Sequence, residues 1–447
     1  MKRALFIAYY FPPLGGAGVQ RSVKFVRFLP LFGYEPVVVT GPTTSGGLSP
    51  ADPTFEAELP ADLAVGRVRP PEPPPSSGWQ GRCERWFMFR SAWGRWWVDG
   101  ATAAGRNVGD VDIVYATMSP WESGEVAAHL AAKLGRPWVA DLRDPWALDE
   151  SFLYPTRLHR QLELRRMETL LVSAAAIVMN TPEAAAQLHR RFPTLKGKRV
   201  VAIPNGFDAD DFAGPAPPNA TRRFRIVHAG HVHTEVARSN RTTWHARRLL
   251  GGMLGPIDFL TRSHLFLLEA VERVLADRPE LRGELEVHLA GALPKHDRDS
   301  LPGNVARYHG YLPHREAVAL MRSADLLFLP LHDLPLGTRA RIVPGKTYEY
   351  LASGRPILAA LPDGDARDLL SQVDAAILVR PADVDGMVEV INRRLEAFRR
   401  GEPVPSPNAS LLEQYERRTL TRRLATVFDD VLGPAASDAE PSEAAES

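Results

Sequence analysis

Apolar runs of strand length recur along this chain, with amphipathic stretches between them. That rhythm belongs to a parallel sheet covered by helices, because strands buried on both faces read as continuous apolar runs rather than alternating ones. In the first half the strands are predicted at Ala4–Ala8, Glu35–Val39, Ile113–Ala116, Trp138–Asp141, Ala176–Met179 and Arg199–Ile203. In the second they are predicted at Phe224–Ala229, Leu285–Ala290, Val305–His309, Leu326–Leu329 and Pro356–Ala359. Asp, Gly, Pro and Asn cluster from Phe207 to Thr221, between two strand signals, so the chain should divide there into two doubly wound, Rossmann-like α/β domains. The expected extents are 1–210 and 211–410, then a last helix at 411–432 and a small, acidic tail at 433–447 that should be disordered. Two stretches break the rhythm: a Pro-, Gly- and Ser-rich excursion from Pro42 to Gly81, and a polar insertion from His233 to Arg262.

Length agrees with two domains, since 447 residues exceed what one hydrophobic core organises. Apolar residues at 45% and charged residues at 24% describe a soluble globular chain. Lysine plus arginine number 54 against 53 acids, so no overall field favours a nucleic acid, and any basic site must be local. Cys83 is the only cysteine, which excludes an intrachain disulfide and a cysteine-built metal cage and suits a reducing, cytoplasmic setting. The apolar start at Ala4–Ala8 breaks at Tyr9-Tyr10-Phe11-Pro12-Pro13, too soon for a signal peptide, and no window is long enough to span a bilayer.

Three places carry candidate chemistry. After the first strand, Leu14-Gly15-Gly16-Ala17-Gly18 leads into a helix, where glycines let a ligand approach the backbone and free amides meet an anion. The spacing departs from the dinucleotide fingerprint, since Gly16-Ala17-Gly18-Val19-Gln20 runs into Arg21 and no third glycine, so a tight turn without ligand is the competing reading. At the end of the Trp138 strand, Asp141, Arg143 and Asp144 place two carboxylates and a guanidinium where open α/β sheets hold ligands. They are read as acceptor-binding, against the alternative that Asp144 caps a helix with Pro145 at its first position while Arg143 neutralises Asp141. The third and most informative place is Arg341 to Ala359, where Pro344 precedes a short helix and Gly354 and Pro356 end it. Lys346 and Glu349 share a face there, and Lys346 stands in the first turn, where the helix field disfavours a cation. A diphosphate on the helix N-terminus removes that conflict, with Glu349 one turn deeper accepting hydrogen bonds from a ribose diol. A solvated Lys–Glu pair is the plain alternative. Arg339, Arg341 and Arg262 supply further cations, Arg262 being read as opening a helix from Ser263 to Leu275. Such a site suits transfer from a nucleotide sugar without a metal or any cofactor, because cations and amides can take up the charge that develops on a diphosphate leaving group.

Tyr9-Tyr10-Phe11-Pro12-Pro13-Leu14-Gly15-Gly16, the segment Ile203-Pro204-Asn205-Gly206-Phe207-Asp208 with Phe212, and Lys346 to Pro356 together resemble the family 4 retaining glycosyltransferases. The resemblance implies a GT-B fold, two domains facing across a cleft, with the acceptor on the first and a UDP- or GDP-type sugar on the second. It implies that Gly15 and Gly16 line the cleft, that Glu349 holds the ribose, that Tyr311-Leu312 flank the base, and that Gly230 and His231 border the donor. Lys346 and Arg262 become the expected catalytic cations, Arg262 standing where the family has a lysine. The last helix, from Leu411 to Leu432, should cross back to the first domain. Two positions depart from the family: its first motif glutamate is Arg341 here, and its usual arginine after the Gly230 strand is His231.

Aromatics interleaved with arginine from Arg82 to Val98 suit either a headgroup interface, where a lipid-linked or other glycan acceptor is presented, or packing into the first core. Two further functions stay open on these residues: a non-catalytic sugar-nucleotide-binding subunit of polysaccharide assembly, and a GT-B-fold epimerase.

Overall fold

The computed structural model describes residues 1–43, 51–219, 221–235, 237–238, 249–252, 255–405 and 408–433. The expected tail beyond Gly433 and parts of the 42–81 and 233–262 segments lie outside the described residues.

Two parallel sheets organise the chain. The first has the order β3-β2-β1-β4-β5-β6-β7, from β1 (Lys2–Ala8), β2 (Tyr34–Thr40), β3 (Ala64–Arg67), β4 (Ile113–Thr117), β5 (Trp138–Leu142), β6 (Ala176–Met179) and β7 (Arg199–Ala202). The second has the order β10-β9-β8-β11-β12-β13, from β8 (Phe224–Ala229), β9 (Leu285–Ala290), β10 (Ala306–Gly310), β11 (Leu326–Pro330), β12 (Ile357–Ala360) and β13 (Ala376–Val379). The central strands β8, β9 and β11 are buried at every position, as strands covered on both faces must be. This is the GT-B fold. Strand order reverses between β1 and β4 and again between β8 and β11, so each sheet opens a crevice at the carboxyl ends of those strands.

Two strands lie outside the predicted set. β3 sits inside the 42–81 excursion, pairing Val37–Thr40 with Ala64–Arg67, and β13 closes the other sheet beside β12. Both are four-residue edge strands, and β3 is half exposed and contains Gly66. The predicted helix 411–432 is two helices, Ala409–Tyr415 and Arg417–Leu432, broken at Glu416. Extended backbone at Glu416 lets the chain pair with Phe207: Phe207 N–H donates to Tyr415 O at 3.0 Å and Arg417 N–H to Phe207 O at 2.8 Å. Beyond the break, Leu420, Leu424, Val427 and Phe428 enter the core of the first sheet with Phe6, Phe25 and Tyr115.

Candidate functional site

Lys346 opens the Lys346–Ser353 helix, which Gly354 ends in the left-handed conformation at φ 65°. Its ammonium points back to the end of β8. A Cβ on Gly230 would collide with Lys346 Nζ and Cε, and Gly230 has φ 142°, so a glycine is required there by both backbone and space. His228, wholly buried in β8, gives its Nδ1–H to Phe328 O at 3.0 Å, which leaves Nε2 as a lone pair 3.4 Å from Lys346 Nζ. One ammonium proton is thereby oriented onto a neutral imidazole. The others remain for a ligand.

Cations crowd this corner. Burial, with Arg262 adding repulsion, brings the Lys346 ammonium down to about 7. Burial also works against the Arg262 charge, which is supported by Asp149, Asp144 and Glu150. His231 is lowered by desolvation and then by Lys346 and Arg262; His233 is driven to about 3 by burial and then Arg262. Positive groups that push protons off one another at a strand end make a site for an anion. Arg262 does not open a helix as predicted: the helix runs Leu265–Asp277, and Arg262 lies in the preceding turn, where its carbonyl accepts from His233 N–H at 3.0 Å.

Glu349 lies one turn beyond Lys346, mostly buried, with Oε1 3.8 Å from His314 Nδ1. His314 begins the His314–Arg322 helix directly after Tyr311-Leu312-Pro313 and is an interdomain junction. Gln20 Nε2 lies 2.9 Å from its Nδ1, Asp211 Oδ2 is 3.1 Å from its Nε2, and Asp52 Oδ2 accepts from its N–H at 3.0 Å. Tyr311 is partly exposed, and burial with Asp52 beside it raises its hydroxyl to about 12; Leu312 packs on the second core.

On the first domain, Gly16 precedes the helix Ala17–Phe28 with φ 101°, and its carbonyl accepts from Val19 N–H at 3.0 Å. Gly15 lies beside it in the same loop. Arg143 lies against Gly18, so closely that a Cβ there would meet its guanidinium, and donates to Ser119 Oγ at 3.0 Å with Asp144 3.6 Å away. Arg143 and Asp144 thus join the glycine loop. Asp141 does not: it is wholly buried, bridged by Arg21 at 2.7 and 3.0 Å and by the Tyr115 hydroxyl, and Arg21 also donates to Pro204 O. Its partner is Arg21 rather than Arg143, and its place is beneath the crevice, not in it. Asp144 caps no α-helix, since a short 3-10 turn, Trp146–Leu148, follows Pro145. Thr181 does cap the Pro182–Arg191 helix, accepting from Ala184 N–H at 3.1 Å.

Arg341 is committed elsewhere than the donor. Its guanidinium donates to Leu148 O at 2.6 Å and lies 3.7 Å from Glu150 Oε2, while its N–H donates to Glu150 Oε1 at 3.1 Å. Glu150 also meets His332 at 3.3 Å. Arg341 therefore clasps the first domain. Next to it, burial and Glu150 raise the Asp149 carboxyl to about 7. Sequence reasoning missed Asp149, Glu150, His228 and His314. A signal existed for His228 alone, a polar residue near the end of a buried strand that also carries Arg225.

Residues 16–206 match the family described as glycosyl transferase 4-like domain, and residues 252–397 match glycosyl transferases group 1. A D-inositol 3-phosphate glycosyltransferase of Geodermatophilus obscurus is 27% identical over 248 residues, 52% of this chain and 49% of that one. A protein of the same name from Streptomyces avermitilis is 26% identical over 274 residues, covering 58% and 53%. The chain thus spans about half the length of the curated relatives it matches. Among solved structures, Anabaena HepE in complex with UDP and glucose superposes with TM-score 0.59 at 15% identity over 96% of this chain and all of that one. A trehalose 6-phosphate synthase of Burkholderia multivorans gives 0.58 at 13% identity over 96% and 99%.

Proposed function

We propose that this GT-B chain, whose two halves match glycosyltransferase families, moves a sugar from a nucleoside-diphosphate donor on its second domain to a hydroxyl of an acceptor on its first. The observation that carries this reading is the crowd of mutually discharging cations, Lys346, Arg262 and His231, gathered where β8 ends and the Lys346 helix begins. A diphosphate there restores the Lys346 proton and takes amides from the helix start. As the glycosidic bond breaks, negative charge grows on the diphosphate, and Lys346 with Arg262 is already placed to receive it, the part a divalent ion plays in other transferases. Glu349 accepts the ribose hydroxyls and Tyr311 flanks the base. Arg143 and Asp144, beside the Gly15-Gly16 loop, hold the acceptor, a glycan or lipid-linked sugar. Retention of anomeric configuration belongs to the same reading.

The test is release of nucleoside diphosphate from a panel of UDP-, GDP- and TDP-sugars with glycan acceptors. Transfer that survives chelation and leaves the anomeric configuration unchanged by proton NMR is the expected result. Sugar isomer formed without acceptor would assign an epimerase, and donor binding without any release would assign a binding subunit.

A further inference from the structure

The arginine- and aromatic-rich stretch 82–98 divides in two. Trp97 is fully buried in the first core, and Trp93 and Trp96 pack against it. The helix Gly78–Phe87 and the turn after it face outward instead: Trp79 is 74% exposed, Trp86 53%, Phe87 61% and Phe89 64%, with the Phe87 and Phe89 rings stacked at 5.6 Å. Trp79, Arg82 and Trp86 lie at i, i+3 and i+7 and share one side of that helix.

The surface continues beyond the helix. The His159 ring lies tilted against Trp86 at 5.2 Å and contacts its carbonyl at 2.7 Å, which sets the start of the helix Arg157–Val172, with exposed Leu158 and Leu162, beside it. Arg157 N–H donates to Leu250 O at 2.9 Å and Tyr154 N–H to Gly252 O at 3.0 Å, so a segment that follows β8 in the second domain's half of the chain is fastened to the same edge. Leu249 there is 89% exposed and Leu250 half exposed. A groove of about 370 Å³ between Arg82, Cys83, Arg85, Trp86, Phe87 and Pro155 opens on this face.

We propose that this surface, formed by the Gly78–Phe87 helix, the start of the Arg157–Val172 helix and residues 249–250, seats the protein on an anionic lipid bilayer. Charge decides the occupant. Residues 78–97 carry four arginines and one glutamate on a chain that is otherwise balanced, and among the described residues neither Arg82 nor Arg85 makes an ion pair. Free guanidinium groups beside protruding Trp and Phe rings complement phosphate headgroups above an acyl layer, where Trp is favoured. Among the described residues no helix is long and apolar enough to cross a membrane, so the contact is one of surface insertion. Because both halves of the chain contribute, the bilayer lies along one rim of the interdomain cleft.

The full chain is floated with phosphatidylcholine vesicles with and without phosphatidylglycerol, at low and high salt. Binding to the anionic vesicles alone, weakened by salt, with a blue shift of tryptophan emission, is the expected result. Arg82→Glu with Arg85→Glu, and separately Trp86→Ser with Phe87→Ser, should each lower the bound fraction at least tenfold, and Leu249→Ser with Leu250→Ser should lower it measurably. Unchanged melting and circular dichroism confirm that these surface variants fold. Protein that stays unbound at low salt, or variants that float as the parent does, overturn the proposal. A dimer in light scattering that the variants dissolve overturns it too, assigning the face to a second copy. The donor reading fails separately, on nucleotide binding, whichever way the vesicles decide.

Discussion

A lysine that titrates near 7 binds an anion well only while it keeps its proton, and Lys346 is such a lysine. The free site has its ammonium lowered by burial and Arg262, whereas a bound diphosphate raises it, so binding takes up a proton once the free site has lost it. The sign follows directly: donor affinity holds below about pH 7 and falls between about pH 7 and about pH 9, by up to about tenfold per unit. Isothermal titration of the nucleotide in this range checks it. Lys346→Ala should weaken binding by about 1.5–3 kcal/mol, roughly ten- to a hundredfold, and flatten that slope. Glu349→Ala should cost a similar amount and keep the slope but move its onset to lower pH, since the carboxylate helps the Lys346 ammonium hold its proton. A flat profile in the parent protein, or unchanged affinity in both variants, would remove the donor assignment. These two residues were legible in the sequence because a single short, well-punctuated helix holds both. Asp149, Glu150 and His314 were not, because what gives them meaning is a neighbour in the other domain, Arg341 for Glu150 and Gln20 for His314.

At the scale of elements, the turn after β8 and the break at Glu416 are each specified by one residue. Gly230→Ala strains a backbone at φ 142° and drives a methyl into Lys346 Nζ, so it should lower both stability, by about 1–3 kcal/mol, and nucleotide affinity. Gly197→Ala, with open space around it, should change neither. Melting with and without nucleotide separates the two. Glu416 caps the Arg417–Leu432 helix, its carboxylate accepting from Arg418 N–H at 2.7 Å and Thr419 N–H at 3.1 Å. Losing that cap in Glu416→Ala should cost about 0.5–2 kcal/mol, read as a lower denaturant midpoint. The sequence revealed the apolar strands, whose burial on both faces writes a mostly apolar run even where Arg225, Glu286 or Asp141 enters it. It concealed β3, whose Ala-Val-Gly-Arg holds an exposed edge by backbone pairing and by Arg67 donating to the Gly41 and Pro12 carbonyls, and it concealed the Glu416 break, because the apolar positions keep helical spacing on both sides.

For the whole molecule, the path of the chain makes stability and donor binding separable. Leu424 follows the entire second sheet in sequence, yet it is fully buried beside the first, in a cluster with Phe6, Phe25 and Tyr115. The residues proposed to hold the donor lie at the other sheet, around Gly230 and Lys346. Leu424→Ala leaves a cavity that the packed neighbours fill only in part, so it should cost about 2–5 kcal/mol. The packing lost is the first domain's, so protease should cleave the variant sooner, while the nucleotide Kd of the folded protein stays within twofold. Lys346→Ala should do the reverse, sparing the fold and weakening the nucleotide. The bridge of Phe207 to the Glu416 break sets the expectation for how the two communicate, since the hinge and the returning helix are hydrogen-bonded to each other at 3.0 and 2.8 Å. A domain that borrows its last core helix from beyond its neighbour cannot unfold without releasing that bridge. Calorimetry of Leu424→Ala should therefore show one lowered transition carrying both domains, and two resolved transitions, with only the first displaced, would show that the bridge transmits nothing.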